Sequence, residues 1–519
     1  MHNSVNFENL SPVNFLKHSV KAFPNEIAIK QGDLLLTYKQ FAYSSLLISQ
    51  LIKKHDVHSG DRVCVFAHNS SQTLLLHYGI ILSGAIIVPI NRMFNKSMLQ
   101  ALLQESGAKI LFTDEVELKI ENSICLFNIE ELFATNMRSA DLSDESDLIV
   151  LNNFQCLNEL DIISINYTSG SSGQPKGVMT SHRSSYLNAL GQYIHAKLDQ
   201  NSRYLWTLPL FHCNGWGFSW AVTAAGGMHV FIESLDENLI ISSILNDGIT
   251  HFCAAPTVLK KIQRAKQFAS LKDSCLQNIF TAGAFPCLEM IKSYEEMGVN
   301  ITHVYGLTET YGPNSSALQP RQSSLIDKEQ AVSLKKAQGV PMIHGAQMKV
   351  VLPDFKEVPW DGQTIGEVIM RGNNIMMGYY RQPSQTNQVF KNGWFCSGDL
   401  AVVLANGHIE LRDRLDDMIN SGGEKIPSIL VEEVLERFPD VLKAAVVAEP
   451  DKYWGELVHA VIELEQEASD GLEKLLLEHC QKLLPKIMIP KKFTFNKVLI
   501  SNTGKKQKHL IKKLLFQNQ

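Results

Sequence analysis

Tyr167-Thr168-Ser169-Gly170-Ser171-Ser172-Gly173-Gln174-Pro175-Lys176-Gly177 is the most informative stretch of the 519-residue chain. A buried strand reads up to Tyr167, and a helical pattern over 181–196 follows, so the segment is expected to be a loop between a strand and a helix. Six of the seven residues after Tyr167 are glycine, serine or threonine, leaving only small groups in the loop. Glycines let a backbone approach a ligand and turn its N–H groups inward, hydroxyls add donors, and Lys176 adds positive charge. Together they make a cradle for a polyphosphate. A flexible Ser/Gly linker is the plainer reading. A Walker-type loop does not fit, because Pro175 stands where that motif has its second glycine and Gly177 follows the lysine.

Upstream and downstream, short β-rich runs alternate with helical ones. Residues 62–66, 86–88, 109–112, 162–167, 204–208, 229–232, 251–253, 278–281 and 301–304 read as strands. Residues 70–82, 96–106, 181–196 and 256–265 read as helices. This alternation predicts an α/β fold, a large N-terminal domain of parallel sheets covered by helices. The apolar run 74–90 is shorter than a membrane span and broken by Gly79, Gly84 and Pro89. It predicts a buried helix followed by a buried strand. From residue 338 the chain becomes punctuated by Gly and Pro, which predicts a β-rich subdomain over about 338–414. Polar residues then lead into a small α+β domain over 417–519, with 415–416 between the two.

Hydrophobic residues make up 45% and charged residues 19%, with a net charge of −5. That balance suits a soluble globular protein and offers nothing to a nucleic acid or an anionic membrane. No integral membrane segment is expected. The nine scattered cysteines form no CxxC pair, so free thiols in a reducing, cytoplasmic setting are expected, without a zinc site. The N-terminus reads as no secretory signal and the C-terminus, Phe516-Gln517-Asn518-Gln519, as no peroxisomal address.

Further segments follow in order: Pro209-Leu210-Phe211-His212, Ala282-Gly283-Ala284-Phe285-Pro286, Tyr305-Gly306-Leu307-Thr308-Glu309-Thr310, and Trp394-Phe395-Cys396-Ser397-Gly398-Asp399. Then come Arg412-Asp413-Arg414-Leu415-Asp416-Asp417 with Ser421-Gly422-Gly423-Glu424, and finally Thr503-Gly504-Lys505. With the loop at 167–177, these resemble the motifs of the adenylate-forming superfamily of acyl- and aryl-CoA synthetases, luciferases and peptide-synthetase adenylation domains. Ser171 and Ser172 stand for the family's two threonines. Asn420 and Leu430 stand where the family often has Lys and Glu.

The resemblance implies an ATP-dependent acid–thiol ligase working with Mg²⁺ and coenzyme A on a small carboxylic acid. It implies that Thr168, Ser169, Gly170, Ser171, Ser172, Gly173 and Lys176 hold phosphates. Gly283, Ala284, Phe285, Val304, Tyr305 and Thr308 would face the adenine side, with Tyr305 able to stack on the base. Asp399 and Arg414 would take the ribose, since a carboxylate can accept both ribose hydroxyls. Thr168 and Glu309 would sit at the metal, because a carboxylate facing a polyphosphate needs a cation between them. Lys505 would bridge the substrate carboxylate and the α-phosphate. His212, Trp216 and Gly306 would border the acyl group, although a core His and a core Trp are the plainer alternatives for the first two. Asp416 would be the hinge, and Gly422 and Gly423 would line the coenzyme A tunnel.

The segment 211–218 looks like that of short- to medium-chain fatty acyl-CoA ligases, so a medium-chain fatty acid is the expected substrate. An aryl-CoA ligase, or an adenylating enzyme loading a carrier protein, is the alternative. Because no carrier domain with a phosphopantetheine serine follows residue 519, a multi-module arrangement is not expected. A non-catalytic protein on the same scaffold is disfavoured by retention of the full residue set. The oligomeric state is left open, a homodimer included.

Overall fold

The helix Ser71–Leu82 is buried all round except at Gln72, as its apolar run from Leu74 to Leu82 requires. In the computed structural model it lies against the helix Tyr38–Lys54, which starts at a capping box between Thr37 and Gln40. A β-carbon on Gly79 would lie 2.5 Å from the Ile48 side chain, so the two helices touch there at backbone distance. The structure describes residues 8–118, 120, 124–136, 151, 154, 156, 158–168, 175–283, 286–317, 334–335, 337–464, 471–500 and 506–516.

Three sheets build the region before residue 415. A seven-stranded sheet has the parallel strands Arg62–Phe66, Ile86–Pro89, Ile110–Thr113, Cys125–Asn128 and Ile162–Thr168, edged by Lys176–Ser181 and Gly378–Tyr379. A nine-stranded sheet has a parallel centre running from Ile27–Gln31 to Asn300–Leu307. The expectation of parallel sheets therefore holds for the interiors and for the 125–128 edge of the seven-stranded sheet. Antiparallel strands finish one end of the seven-stranded sheet, at 176–181 and 378–379, and both ends of the nine-stranded one, at 34–37 and at 312–316 and 340–341. Parallel strands need both faces covered, whereas edges can be finished by hairpins.

A second correction concerns the loop at 169–174. It is not followed directly by a helix. The strand Lys176–Ser181 comes first, pairing antiparallel with Ile162–Thr168 in a register that sets Thr168 opposite Lys176. The helix His182–Ala196 begins only then, capped by Ser181. The loop thus joins two strands of one hairpin, and no helix N-terminus stands at its end.

The third sheet is antiparallel: Gln347–Val351, Gly366–Arg371, Phe390–Lys391, Trp394–Val403 and Ile409–Arg414. After a turn at 415–417 the chain builds a five-stranded sheet from Ile419–Ser421, Glu424–Ile426, Val441–Asp451, Gly455–Leu464 and Lys492–Phe495. The helices Ser428–Leu435, Leu472–Leu483 and Lys508–Phe516 accompany it. All nine cysteines are unbridged. Among the described residues no helix is long and apolar enough to cross a membrane.

The contact at Gly79 gives a direct check on this packing. Gly79→Ala should destabilise the protein by about 1–3 kcal/mol, because the added methyl has no room against Ile48. Equilibrium unfolding measures this. An unchanged midpoint would mean that the two helices can part at no cost.

Candidate active site

Glu309 lies in a single helical turn, Thr308–Thr310, at the end of the strand Asn300–Leu307. Its carboxylate oxygen Oε1 accepts a 2.8 Å hydrogen bond from the Tyr379 hydroxyl. Its backbone carbonyl accepts from the Met376 N–H at 2.7 Å. Tyr379 arrives on the short strand Gly378–Tyr379, which is held on the hairpin by Tyr380 N–H to Gly177 O (2.7 Å) and Met377 N–H to Met179 O (2.9 Å). The Lys176 ammonium sits 5.1 Å from the centre of the Tyr379 ring. One tyrosine thus spans Lys176 and Glu309. Burial, and then the charge of Glu309, push the Tyr379 phenol well above its ordinary range, so it stays a donor.

A second cluster stands beside the first. Asp399, 5% exposed, accepts a 2.7 Å hydrogen bond from the Tyr305 hydroxyl and pairs with Arg414 Nε at 3.3 Å. Asp399 and Arg414 are cross-strand partners in the strands Trp394–Val403 and Ile409–Arg414, so the register itself sets the pair. Gly398, at φ +71°, turns the chain immediately before the carboxylate and takes the conformation that favours glycine. The Arg414 guanidinium is held firmly in its charged form, first by Asp399 and then, despite burial, by Glu309 and others. Arg414 therefore feels both carboxylates, and the two clusters form one electrostatic site.

Tyr305 is buried within the core formed with the third sheet, its hydroxyl spent on Asp399. The reading from sequence expected the ring at a base and did not foresee this bond. Val304 is buried, and Gly306 and Thr308 are half-buried. Gly283 follows the strand Asn278–Thr281 at φ +87°. Ser169, Gly170, Ser171, Ser172, Gly173, Ala284, Phe285 and Lys505 lie outside the described residues. The neighbouring Lys506 bonds Glu432 and Glu436, each at 2.8 Å.

His212 is half-buried and precedes an unusual turn. Five successive residues, Cys213, Asn214, Gly215, Trp216 and Gly217, have φ of 44°, 46°, 63°, 54° and 77°. Left-handed backbone costs roughly 1–2 kcal/mol for each residue bearing a β-carbon, so other bonds must hold it. Asn166 Nδ2 donates to Asn214 Oδ1 at 3.0 Å and to Phe211 O at 3.2 Å. Cys213 neighbours Thr308 and Glu309, and burial pushes its thiol up to about 12. Trp216 is 8% exposed within the main hydrophobic core, with its ring centre 6.4 Å from that of His212.

Asp416 is exposed in the turn at 415–417, two residues beyond Arg414; Arg414 O accepts from the N–H groups of Asp417 and Met418 at 3.0 and 3.1 Å. Gly422 and Gly423, at φ 60° and 88°, form the two-residue turn of the next hairpin, where both positions need left-handed backbone.

A family model described as AMP-binding enzyme matches residues 16–380, and one described as AMP-binding enzyme C-terminal domain matches residues 430–505. The chain belongs to the AMP-binding enzyme family. It is 35% identical over 521 residues to 4-hydroxybutyrate–CoA ligase 2 of Metallosphaera sedula, covering 97% of this chain and 94% of that one. It is 33% identical over 523 residues to a peroxisomal butyrate–CoA ligase of Arabidopsis thaliana, covering 96% and 91%. The fold matches O-succinylbenzoate coenzyme A synthetase of Bacillus subtilis, solved with ATP and magnesium ion. The TM-score is 0.81 at 25% identity, covering 96% and 99%. In this AMP-binding enzyme, Tyr379 is the site residue that motif reading passed over. Its segment, Met377-Gly378-Tyr379-Tyr380, carries no catalytic residue type at a telling spacing.

The Tyr379 hydroxyl can be removed alone. A hydrogen bond to a charged group is worth about 1.5–3 kcal/mol, so Tyr379→Phe should lower the rate of pyrophosphate formation by roughly 10- to 100-fold. The ring stays under Lys176, so the variant should still unfold cooperatively, with at most a modest fall in its midpoint from the lost bond. An unaltered rate would remove Tyr379 from the machinery.

Proposed function

We propose that this chain activates a carboxylic acid with ATP and transfers the acyl group to coenzyme A. The observation that carries the reading is the junction of Lys176–Tyr379–Glu309 with Tyr305–Asp399–Arg414, built from five chain segments and sharing the Arg414 charge. It offers cationic, anionic and hydroxyl groups where a nucleotide and its phosphates need them.

In the first half-reaction the carboxylate attacks the α-phosphorus of ATP, giving acyl-AMP and releasing pyrophosphate. No general base is needed, since the acid is already ionised. Asp399 accepts from the ribose hydroxyls while Arg414 steadies it. Gly283, Ala284, Phe285, Val304, Tyr305 and Thr308 border the adenine. Lys176 and the loop 168–173 hold the phosphates, and Lys505 balances charge as the two anions meet. Thr168 and Glu309 offer hard oxygen donors of the kind Mg²⁺ takes, and the ion would supply neutralisation of the phosphate charge there. His212, Trp216 and Gly306 border the acyl group.

In the second half-reaction the thiol attacks the acyl carbon and AMP leaves. The region after Asp416 turns about the segment 415–417, exposed at Leu415 and Asp416, withdrawing Lys505 and bringing Gly422 and Gly423 to the tunnel. The domains are thus 1–414 and 417–519. Unbridged thiols support a reducing compartment, and we take it to be the cytoplasm.

The test splits the halves. Wild-type protein with ATP and an acid panel should release pyrophosphate, and coenzyme A should add turnover and thioester. Lys505→Ala should lose pyrophosphate release by orders of magnitude yet still convert synthetic acyl-AMP and coenzyme A to thioester. Equal loss in both halves contradicts the assignment of Lys505. A product that requires a carrier protein in place of coenzyme A contradicts the choice of thiol.

A further inference from the structure

A helix that buries a face usually buries an apolar one. The helix His182–Ala196 instead buries Ser184, Ser185, Asn188, Gln192 and small residues. Asn188 and Gln192, each 0% exposed, follow one another by a turn on one face. Both the oxygen and the nitrogen of each amide lack a hydrogen-bond partner among the described residues. Buried amides are ordinarily paired, and four such atoms together point to a partner from outside the fold.

Their position is set by close approaches. A β-carbon on Gly217 would fall 2.0 Å from Asn188 Oδ1, so Asn188 stands against the residue that follows Trp216. A β-carbon on Gly312 would fall 3.1 Å from Trp216 Cα. One on Gly191, between the two amides, would fall 1.6 Å from His344 Nδ1, itself without a hydrogen-bond partner among the described residues, while His344 Nε2 meets Pro313 O at 3.2 Å. Helix, left-handed turn and the strand Gly312–Ser316 therefore close on one another around Trp216.

On the reading of this site as an acyl site, we infer that Asn188 and Gln192 select an acid whose chain carries a hydroxyl group. Each amide offers both a donor and an acceptor, and a hydroxyl can answer both, whereas a carbonyl answers only the N–H and an alkyl tail answers neither. A medium-chain fatty acid, the expectation drawn from residues 211–218, would bury methylenes against these amides and leave them unpaired.

The experiment compares kcat/KM for hydroxy acids from 2-hydroxy to 6-hydroxy, each against its isostere with methyl in place of hydroxyl, with octanoate and 4-oxopentanoate added. A site built to bond a hydroxyl rejects the analogue lacking it by large factors. At least one hydroxy acid should exceed its isostere, octanoate and the keto acid by about tenfold or more. Asn188→Leu should reverse that preference without lowering the unfolding midpoint, because the apolar group relieves unpaired atoms. Preference for the methyl isostere at every position, for octanoate or for the keto acid overturns the inference. So does a ratio untouched by Asn188→Leu, or a variant that melts well below wild type, which would make the amide a satisfied structural group. Absence of pyrophosphate release with every acid removes the ligase reading itself, and this inference with it.

Discussion

The buried carboxylate of Asp399 is the constraint on which the site depends. An ionised group taken out of water is costly unless charge and hydrogen bonds compensate it. Here Arg414 supplies the charge from the neighbouring strand and Tyr305 the hydrogen bond from the nine-stranded sheet. The carboxylate therefore fastens the small antiparallel sheet to the nine-stranded one, and it does so with groups that a nucleotide can also use. Pairing with Asp399 raises the Arg414 pKa further, and burial raises that of Tyr305, so both hold their protons and remain donors.

The same strand carries the chain to its turning point. Arg414 is the last residue of Ile409–Arg414, and Asp416 is exposed just beyond it. Motion about Asp416, as proposed, would leave Asp399 and Arg414 together on one side of the turn. Just across the turn, Asp413 accepts from the backbone N–H and the hydroxyl of Ser428, and Lys508 bonds Ser428 and Glu432. These contacts tie the C-terminal region to the clamp strand in the described arrangement. Burial raises the Asp413 carboxyl above its ordinary value in spite of Lys508 and Ser428.

Much of this was legible in the sequence. Alternating apolar runs gave the parallel interiors, because buried parallel strands must read as continuous hydrophobic stretches. The edges did not, since Gly-Pro-Asn-Ser-Ser at 312–316 has no apolar pattern and is a strand only through its neighbours. Glu309, Asp399 and Arg414 stood out by residue type and local spacing. Tyr379 did not, because its role exists only when residues 176, 309 and 379 meet, and no local pattern encodes a meeting across 200 positions. The left-handed turn at 213–217 was equally hidden. Gly215 and Gly217 hinted at freedom, but the reversal also needs Cys213, Asn214 and Trp216 held against their own preference by packing and by Asn166.

The central claim is that the Asp399 carboxylate, prepared by Tyr305 and Arg414, receives the ribose of the nucleotide. Calorimetric titration of AMP into wild type and into Asp399→Asn tests it most directly. Hydrogen bonds to a charged group are worth about 1.5–3 kcal/mol each, so two lost to the ribose should weaken AMP binding by about 100-fold or more in a variant that still unfolds cooperatively. A folded Asp399→Asn protein that binds AMP with the wild-type Kd would contradict the account.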